Sequence, residues 1–299
     1  MAVRSEEEDV MLEETSTNDT ILVALDGSRP ARAAANVAIQ VAQAQHLTIR
    51  GLHIVDEPLL LDPYASYQLE LGTTQPPMSP TEAITAFQLH GEEVLAWLED
   101  RCQTAHVPVT NELLLGGVPE LVLQEAEPAL LLGLGRRGLG HADDPHYLGR
   151  HFRAIAHHAP CPFIAGGDEE RELRRLLLAY DGSERSRPAL AWTLRLQHAL
   201  STDVTVPAIK QPDDRAAHKR LQEVQEKLAQ DDRPHYRLLA RRGEPVAEII
   251  HAATESQADC ILMGGYSLPT RSSRPATNSS CSRRPERGNG SRRSVCHFR

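Results

Sequence analysis

One segment of the chain occurs twice, and this repeat constrains the fold more than any other feature. Residues 21–28 read ILVALDGS, and residues 176–183 read LLLAYDGS. Each copy is an apolar run followed by Asp-Gly-Ser and an alanine-containing helical pattern, the order typical of a buried parallel strand that turns into a helix. A repeat spacing of about half of the 299 residues is far too long for a solenoid unit, so it indicates two similar domains.

The composition is consistent with two domains in the cytoplasm. A chain of 299 residues is long enough for two domains that each bury a core. Its 32 basic and 41 acidic residues give a formal charge of −9, which argues against nucleic acid or an anionic membrane as the main partner. We find neither a membrane-length apolar run nor a signal peptide, and therefore expect a cytoplasmic protein. The five cysteines lack CxxC spacing and predict neither a disulfide framework nor a zinc site.

Strand and helix patterns alternate along the first copy with short links between them. Such alternation predicts a parallel, doubly wound α/β sheet. The exception is the proline-rich stretch 57–80, which excludes a regular element throughout and predicts a functional or mobile loop. The predicted strands are 21–25, 47–55, 109–115, 129–134 and 161–165, and the predicted helices are 30–45, 81–105, 119–126 and 150–158.

The second copy repeats this order but is incomplete. Residues 269–299 are rich in Arg and Ser, and we expect them to form neither a core-facing helix nor a final strand. A replaced terminus or shifted reading frame explains such a change, and a natural basic tail that contacts nucleic acid is the functional alternative. The predicted strands are 176–180, 204–209, 236–240 and 260–263, and the predicted helices are 183–200, 213–230 and 245–256. The predicted domains are 19–167 and 176–268, joined by a charged linker at 168–175 and flanked by disordered tails at 1–18 and 269–299.

Candidate ligand contacts lie where predicted strands end. In open parallel sheets, ligands bind outside the carboxyl ends of the strands, which makes Asp26 and Asp181 candidates. Gly135 and Gly138 follow the fourth strand and Gly149 opens a helix, an arrangement that lets backbone amides approach a phosphate. The same residues also fit a purely structural role, with Ser28 or Ser183 capping a helix and the glycines forming a surface turn.

Histidines are frequent near the glycine loop, but they do not form a metal motif. His157 and His158 are adjacent, so on a helix they point about 100° apart, and no carboxylate-histidine spacing accompanies them. A solvated helix face is the better interpretation. The histidines concerned are His141, His146, His151, His157 and His158.

These features together resemble the universal stress protein family, in its tandem two-domain form. The resemblance is carried by the strand-D-G-S of both copies, the GLHIVD strand at 51–56, the glycine loop and the segment 153–163, and it covers roughly 20–165 and 175–267. It implies two Rossmann-like domains with doubly wound, mostly parallel five-stranded-type sheets, the second lacking its last helix and strand. It also implies a stress-response or regulatory role that acts through an unidentified protein partner.

The resemblance further implies an adenine-nucleotide site, for ATP or a related nucleotide, in the first copy and without a metal. Nucleotide-binding members of the family use the Asp of the first strand, the backbone at the end of the second strand, and a G-x2-G-x9-G-[S/T] loop. Here the spacer has ten residues, and Arg150 replaces the hydroxyl residue, so Arg150 either pairs with phosphate or fills the pocket. The implied site residues are Ala24, Leu25, Asp26, Ile54 (or its neighbour Val55), Gly135, Gly138, Gly149 and Arg150.

Two other classes of function stay open. An interaction scaffold without nucleotide is one, and an enzyme that acts on an adenylyl phosphate is the other. An enzyme needs a base or nucleophile beside the glycine loop, and we find no such motif in the sequence, so we expect a non-enzymatic protein. In the family the fifth strand lies at the sheet edge. Because the second copy is predicted to lack this strand, we expect the chain to self-associate through residues 161–165.

Overall fold

The first copy forms the predicted alternation of strands and helices. A computed structural model describes residues 19–56, 80–139, 147–210, 226, 236–264 and 294–298. Every predicted element of this copy is found, with its ends shifted by at most two residues. The elements are β1 (Thr20–Ala24), α1 (Arg29–Gln45), β2 (Thr48–Asp56), α2 (Pro80–Thr104), β3 (Val109–Gly116), α3 (Val118–Ala126), β4 (Leu131–Gly135), α4 (Arg150–His158) and β5 (Phe163–Gly166).

The second copy follows the same order, with one correction to its first helix and another at its end. Its first helix begins at Arg187 and not at Ser183, because Ser183 and Ser186 form a separate turn in which Ser186 N donates to Ser183 O at 3.1 Å. The elements are β6 (Arg175–Ala179), α5 (Arg187–Leu200), β7 (Asp203–Lys210), β8 (Tyr236–Arg242), α6 (Pro245–Glu255), β9 (Cys260–Gly264) and β10 (Ser294–Phe298). The predicted tail at 1–18, nearly all of the loop at 57–80 and, apart from Glu226, the helix at 213–230 lie outside the described residues.

All described strands belong to one sheet with the order β3-β2-β1-β4-β5-β10-β9-β6-β7-β8. The strands β1 to β5 are parallel to one another, and so are β6 to β9. Strand order reverses beside β1 and again beside β6, as in a doubly wound fold. The predicted fold class is confirmed, with a second copy that is shorter than the first.

Strand β10 corrects the prediction for the end of the chain, where we expected disorder and no final strand. Cys296 pairs with Leu262 of β9 in parallel and with Ile164 of β5 in antiparallel orientation. The arginine-rich composition of 269–299 led us to predict no strand in the short segment SVCHF. The edges of β5 and β9 nevertheless offer it backbone partners on both sides. The edge of β5 is therefore covered within the chain. Self-association through residues 161–165 stays a prediction, and it now requires β10 to leave its place.

Apolar cores cover both faces of the sheet. On one face a continuous core joins the two copies, with Ile21, Ile49 and Leu98 of the first packed in the same cluster as Leu176 and Leu196 of the second. On the opposite face, α3 and α4 bury a separate core in the first copy, and α6 covers a smaller one in the second. Among the helices in the described ranges, none is long and apolar enough to cross a membrane.

The predicted linker packs firmly against the first copy. Asn36 Nδ2 and Gln40 Nε2 of α1 donate to Arg171 O at 2.9 and 2.8 Å, and Leu173 N donates to Gln40 Oε1 at 2.7 Å. The side chain of Leu173 is buried in the core that the copies share. The segment between the copies is thus an ordered part of the fold that fixes α1 against the start of β6.

Candidate functional site

The carboxyl ends of β1, β2 and β4 lie side by side and carry most of the predicted site residues. Beyond β1, Gly27 has a φ of 85°, a backbone conformation that favours glycine. Asp26 Oδ1 accepts from Ser28 N at 2.9 Å, and Ser28 Oγ caps α1 by accepting from Ala31 N at 3.3 Å. The Asp-Gly-Ser turn is therefore held by its own hydrogen bonds, which fix the position of the Asp26 carboxylate.

The glycine loop meets this turn directly. Ser28 Oγ donates to Arg137 O at 3.2 Å, although the two residues are far apart in the sequence. A Cβ placed on Gly138 would lie 3.2 Å from Asp26 Oδ2. At the other end of the loop, Gly149 N donates to Arg136 O at 2.9 Å. The structure thus brings together Asp26, Gly138 and Gly149, which the sequence singled out separately.

Gly135 has a packing role. A Cβ there would lie 2.8 Å from Ala31 N, because the first turn of α1 lies directly against the end of β4. Gly264 occupies the same place in the second copy, where a Cβ would overlap the backbone of Arg185. This glycine therefore recurs in both copies for helix packing, whatever its backbone does for a ligand.

Two loop arginines tie the glycine loop to the linker. Arg136 Nη2 lies 2.6 Å from Asp168 Oδ2, and Arg137 pairs with the other oxygen of the same carboxylate. Arg137 is buried, and Asp168 is the first residue of the predicted linker. These two charge-assisted hydrogen bonds fix Arg136 and Arg137, at the start of the loop, against the linker. Sequence reasoning missed this contact because Asp168 is one of several charges in the linker.

Two histidines brace the backbone on either side of the Asp26 α-carbon. The buried His53 lies 2.8 Å from Leu25 O through Nδ1, and His90 Nε2 lies 3.3 Å from Asp26 O. Burial lowers the pKa of His53, and the bond to Leu25 only partly opposes this effect. A neutral His53 with its proton on Nδ1 donates to Leu25 O. The signal that sequence reasoning passed over is a histidine inside the apolar run of β2.

The end of β2 presents apolar and acidic groups together. Ala24 and Ile54 pack at the border of the core beneath α3 and α4. The next polar residue, Asp56, is buried, and its Oδ2 lies 3.7 Å from Arg150 Nη2 and 3.5 Å from His151 Nε2. Burial raises the pKa of Asp56 against the opposing effect of His151 and Arg150. Arg150, predicted either to pair with phosphate or to fill the pocket, is thus placed beside an acidic side chain of β2.

Metal-ligating side chains do not cluster in the part of the chain that the structure describes. No group of three or more His, Cys, Asp or Glu side chains there could hold a metal ion. His157 and His158 lie exposed on α4, whereas His141 and His146 fall outside the described residues.

Comparisons with known proteins agree with this architecture. A model of the universal stress protein family matches residues 17–165 and again residues 172–272. Among solved structures, a universal stress protein from Archaeoglobus fulgidus DSM 4304 is 17% identical with a TM-score of 0.62, over 82% of this chain and 86% of that one. A functionally unknown protein from Pseudomonas aeruginosa PAO1 is 12% identical with a TM-score of 0.60, over 94% and 92% of the two chains.

At these identities the solved structures show a shared fold alone. The comparison with curated proteins gave no match. The family model, however, covers well over half of the chain, in two successive copies that coincide with the two halves of the sheet. The chain therefore belongs to the universal stress protein family, as a tandem member with two copies of the domain.

Proposed function

We propose that this chain is a cytosolic stress-response and regulatory module that binds an adenine nucleotide, ATP being the first candidate, in its first copy. The observation that carries the proposal is the meeting of the Asp26 turn with the glycine loop, through Ser28 Oγ and Arg137 O at 3.2 Å. Loop amides and the amino end of α4 favour an anion such as phosphate. Asp26 Oδ2, which faces Gly138, is suited to accept a hydrogen bond from a ribose hydroxyl.

The second copy offers a poorer site. Asp181 is exposed, and its Oδ1 accepts from Ser183 N at 2.9 Å, as in the first copy. However, Ser183 does not cap the following helix, whose N-cap is Ser186. The turn and the helix are thus separated there. We accordingly assign nucleotide binding to the first copy alone.

A scaffold that binds no nucleotide is the second candidate. It is favoured by the acidic groups near the amino end of α4, where Glu120 adds to the effect of burial in raising the pKa of Asp56. Negative charge at that place repels a polyphosphate unless a cation compensates it. In this case the chain would act only through a protein partner.

We propose a binding role in preference to a catalytic one. His53 and His90 each use one ring nitrogen on a backbone carbonyl beside Asp26, as described above. This contact positions the rings, and a catalytic role would need the second ring nitrogen directed at the substrate.

Mass spectrometry of small molecules released from the purified chain by heat or acid tests the proposal. We expect about one adenine nucleotide per chain, or, if the protein is purified without one, a calorimetric response to added ATP. Protein with Asp26→Ala, purified in parallel, should carry much less. A chain that releases no nucleotide and gives no response to ATP would favour the scaffold.

A further inference from the structure

Asp56 is a buried carboxylate with one oxygen that lacks a hydrogen bond within the described part of the chain. Its side chain is only 6% exposed, and Oδ2 has no hydrogen-bond partner among the described residues. A buried ionised carboxylate needs hydrogen bonds or opposite charges to offset its lost hydration. Here the opposite charge comes from Arg150 of α4, whose Nη2 lies 3.7 Å from Oδ2. His151 Nε2 lies 3.5 Å from Oδ2, but it adds a positive charge only when it is protonated. Among the described residues, Oδ2 of Asp56 is therefore stabilised by the charge of Arg150 and not by a hydrogen bond.

Arg150 is a cation that lies next to both the glycine loop and Asp56. It is the first residue of α4, directly after Gly149, and its side chain is 67% exposed. Its Nε donates to His151 Nε2 at 3.0 Å, which leaves the rest of the guanidinium directed at Asp56. By contrast, Arg136 and Arg137 are hydrogen-bonded to Asp168. Of these three arginines, Arg150 is the one whose guanidinium can move without breaking a short ion pair.

We propose that Asp56 is an internal counter-ion that competes with the phosphate of a bound nucleotide for Arg150, and so sets the affinity of the first copy for phosphate. This inference rests on the proposed function. A phosphate at the amino end of α4 attracts a guanidinium through short charge-assisted hydrogen bonds. The same guanidinium cannot serve both anions fully, so the attraction of Asp56 opposes the binding of phosphate.

The surrounding charges favour competition over cooperation. Asp56 is faced by Arg150 and His151 from α4 and by Glu120 from α3. His151 is faced in addition by Asp26 from the turn after β1. A phosphate beside Arg150 would thus be repelled by the carboxylates of Asp56, Glu120 and Asp26 among the described residues. Neutralising Asp56 releases Arg150, whereas neutralising the exposed Glu120 lowers the negative charge without breaking the contact with Arg150.

The test is ATP binding to the full-length chain, measured by calorimetry, for the natural protein and for Asp56→Asn. Asparagine has nearly the same shape as aspartate but carries no charge. We expect Asp56→Asn to bind ATP about fivefold more tightly, the scale of one partly exposed ion pair. With the guanidinium removed, Asp56→Asn should bring no gain, so the double variant Asp56→Asn/Arg150→Met should bind ATP no more tightly than Arg150→Met alone. Glu120→Gln is the matched control and should change the affinity less than twofold.

A second measurement tests, without any nucleotide, the charge that Asp56 places beside α4. Asp56 raises the pKa of His151 against the dominant effect of burial, so Asp56→Asn should lower that pKa, as measured by NMR titration. An unchanged His151 pKa would mean that Asp56 places no negative charge beside the amino end of α4, and would overturn the inference. A melting temperature close to that of the natural chain shows that the variant is folded.

Each remaining outcome of the binding test counts against the inference in a distinct way. If the natural chain binds ATP and Asp56→Asn binds it equally or more weakly, the inference is wrong while the proposed function survives. If Glu120→Gln gives the same gain, general repulsion explains the effect and Arg150 has no special part. If neither the natural chain nor Asp56→Asn binds ATP, both proposals fail.

Discussion

The two copies begin with the same strand and the same Asp-Gly-Ser turn, yet the turns have different surroundings. In the first copy Ser28 is completely buried, caps α1 and hydrogen-bonds to the glycine loop. In the second copy Ser183 bonds to Ser186, and α5 begins only at Arg187. The difference shows that this short motif forms a strand-to-helix turn by itself. It becomes a candidate site only where a second loop is joined to it.

The second strands of the two copies, β2 and β7, also differ, and again the first copy has the additional polar contact. Ile21 pairs with Ile49 in the first copy and Leu176 pairs with Val204 in the second, so His53 corresponds to Ala208. The histidine that contacts the carbonyl before the aspartate in the first copy is therefore replaced by alanine at the equivalent position of the second. Since each copy keeps the sheet but only the first keeps these polar contacts, the contacts are not needed for the fold.

Helix packing on the sheet is the feature that the copies share most closely. A Cβ on Gly166 would overlap Pro30 O of α1, so Gly166→Ala should destabilise the first copy by about 3 kcal/mol. Gly133→Ala is the control, because its Cβ would have ordinary contacts of 3.6 Å with Val23. Denaturant unfolding measures both. A stability of Gly166→Ala equal to that of the control would contradict the close packing of α1.

The two copies are joined through β10, which pairs with β5 of the first copy and β9 of the second. Removing residues 294–299 exposes the β5 edge, which β10 otherwise covers. We expect this shortened chain to form dimers, seen as a doubled mass in light scattering. A shortened chain that stays monomeric would remove the basis for self-association through residues 161–165.

The two motif serines should differ in their contribution to stability. Ser28→Ala removes both a helix cap and the bond to Arg137 O, and should lower the free energy of unfolding by about 1.5 kcal/mol. Ser183→Ala removes a bond to Ser186 N in a partly exposed turn, and should cost about 0.5 kcal/mol. Equal losses in chemical denaturation would mean that the first turn is no better connected than the second.

Acidification should lower the stability of the first copy through His53, by a smaller amount than the substitutions above. His53 binds a proton less readily in the folded chain, because burial lowers its pKa. The unfolded chain therefore takes up more protons as the pH falls below about 6.5, and stability is lost from there downwards. His53→Asn, which keeps a donor for Leu25 O, should reduce the difference in stability between pH 7.5 and pH 5.5 by about 0.5 kcal/mol. An unchanged difference would show that His53 does not titrate in this way.

Local pattern was enough to predict the strands and helices of the first copy, since apolar runs and helical periodicity are properties of neighbouring residues. The start of α5 was wrong because Ser183 and Ser186 are equally good caps in the sequence. Strand β10 was missed because its pairing depends on two edges that lie far away in the chain. Asp26, Gly138 and Gly149 were found from their positions at element ends. The contacts of Asp56, Asp168 and His53 depend on tertiary neighbours that one sequence does not reveal.

The central claim is that the first copy is the nucleotide-binding copy, and it is tested most directly by calorimetric titration of ATP into two matched variants. Asp26→Ala removes the carboxylate that faces Gly138, whereas Asp181→Ala removes its counterpart in the second copy. We expect Asp26→Ala to weaken ATP binding about tenfold or more, the loss of a hydrogen bond to a charged group, and Asp181→Ala to leave it unchanged. Equal losses from the two substitutions would contradict the claim.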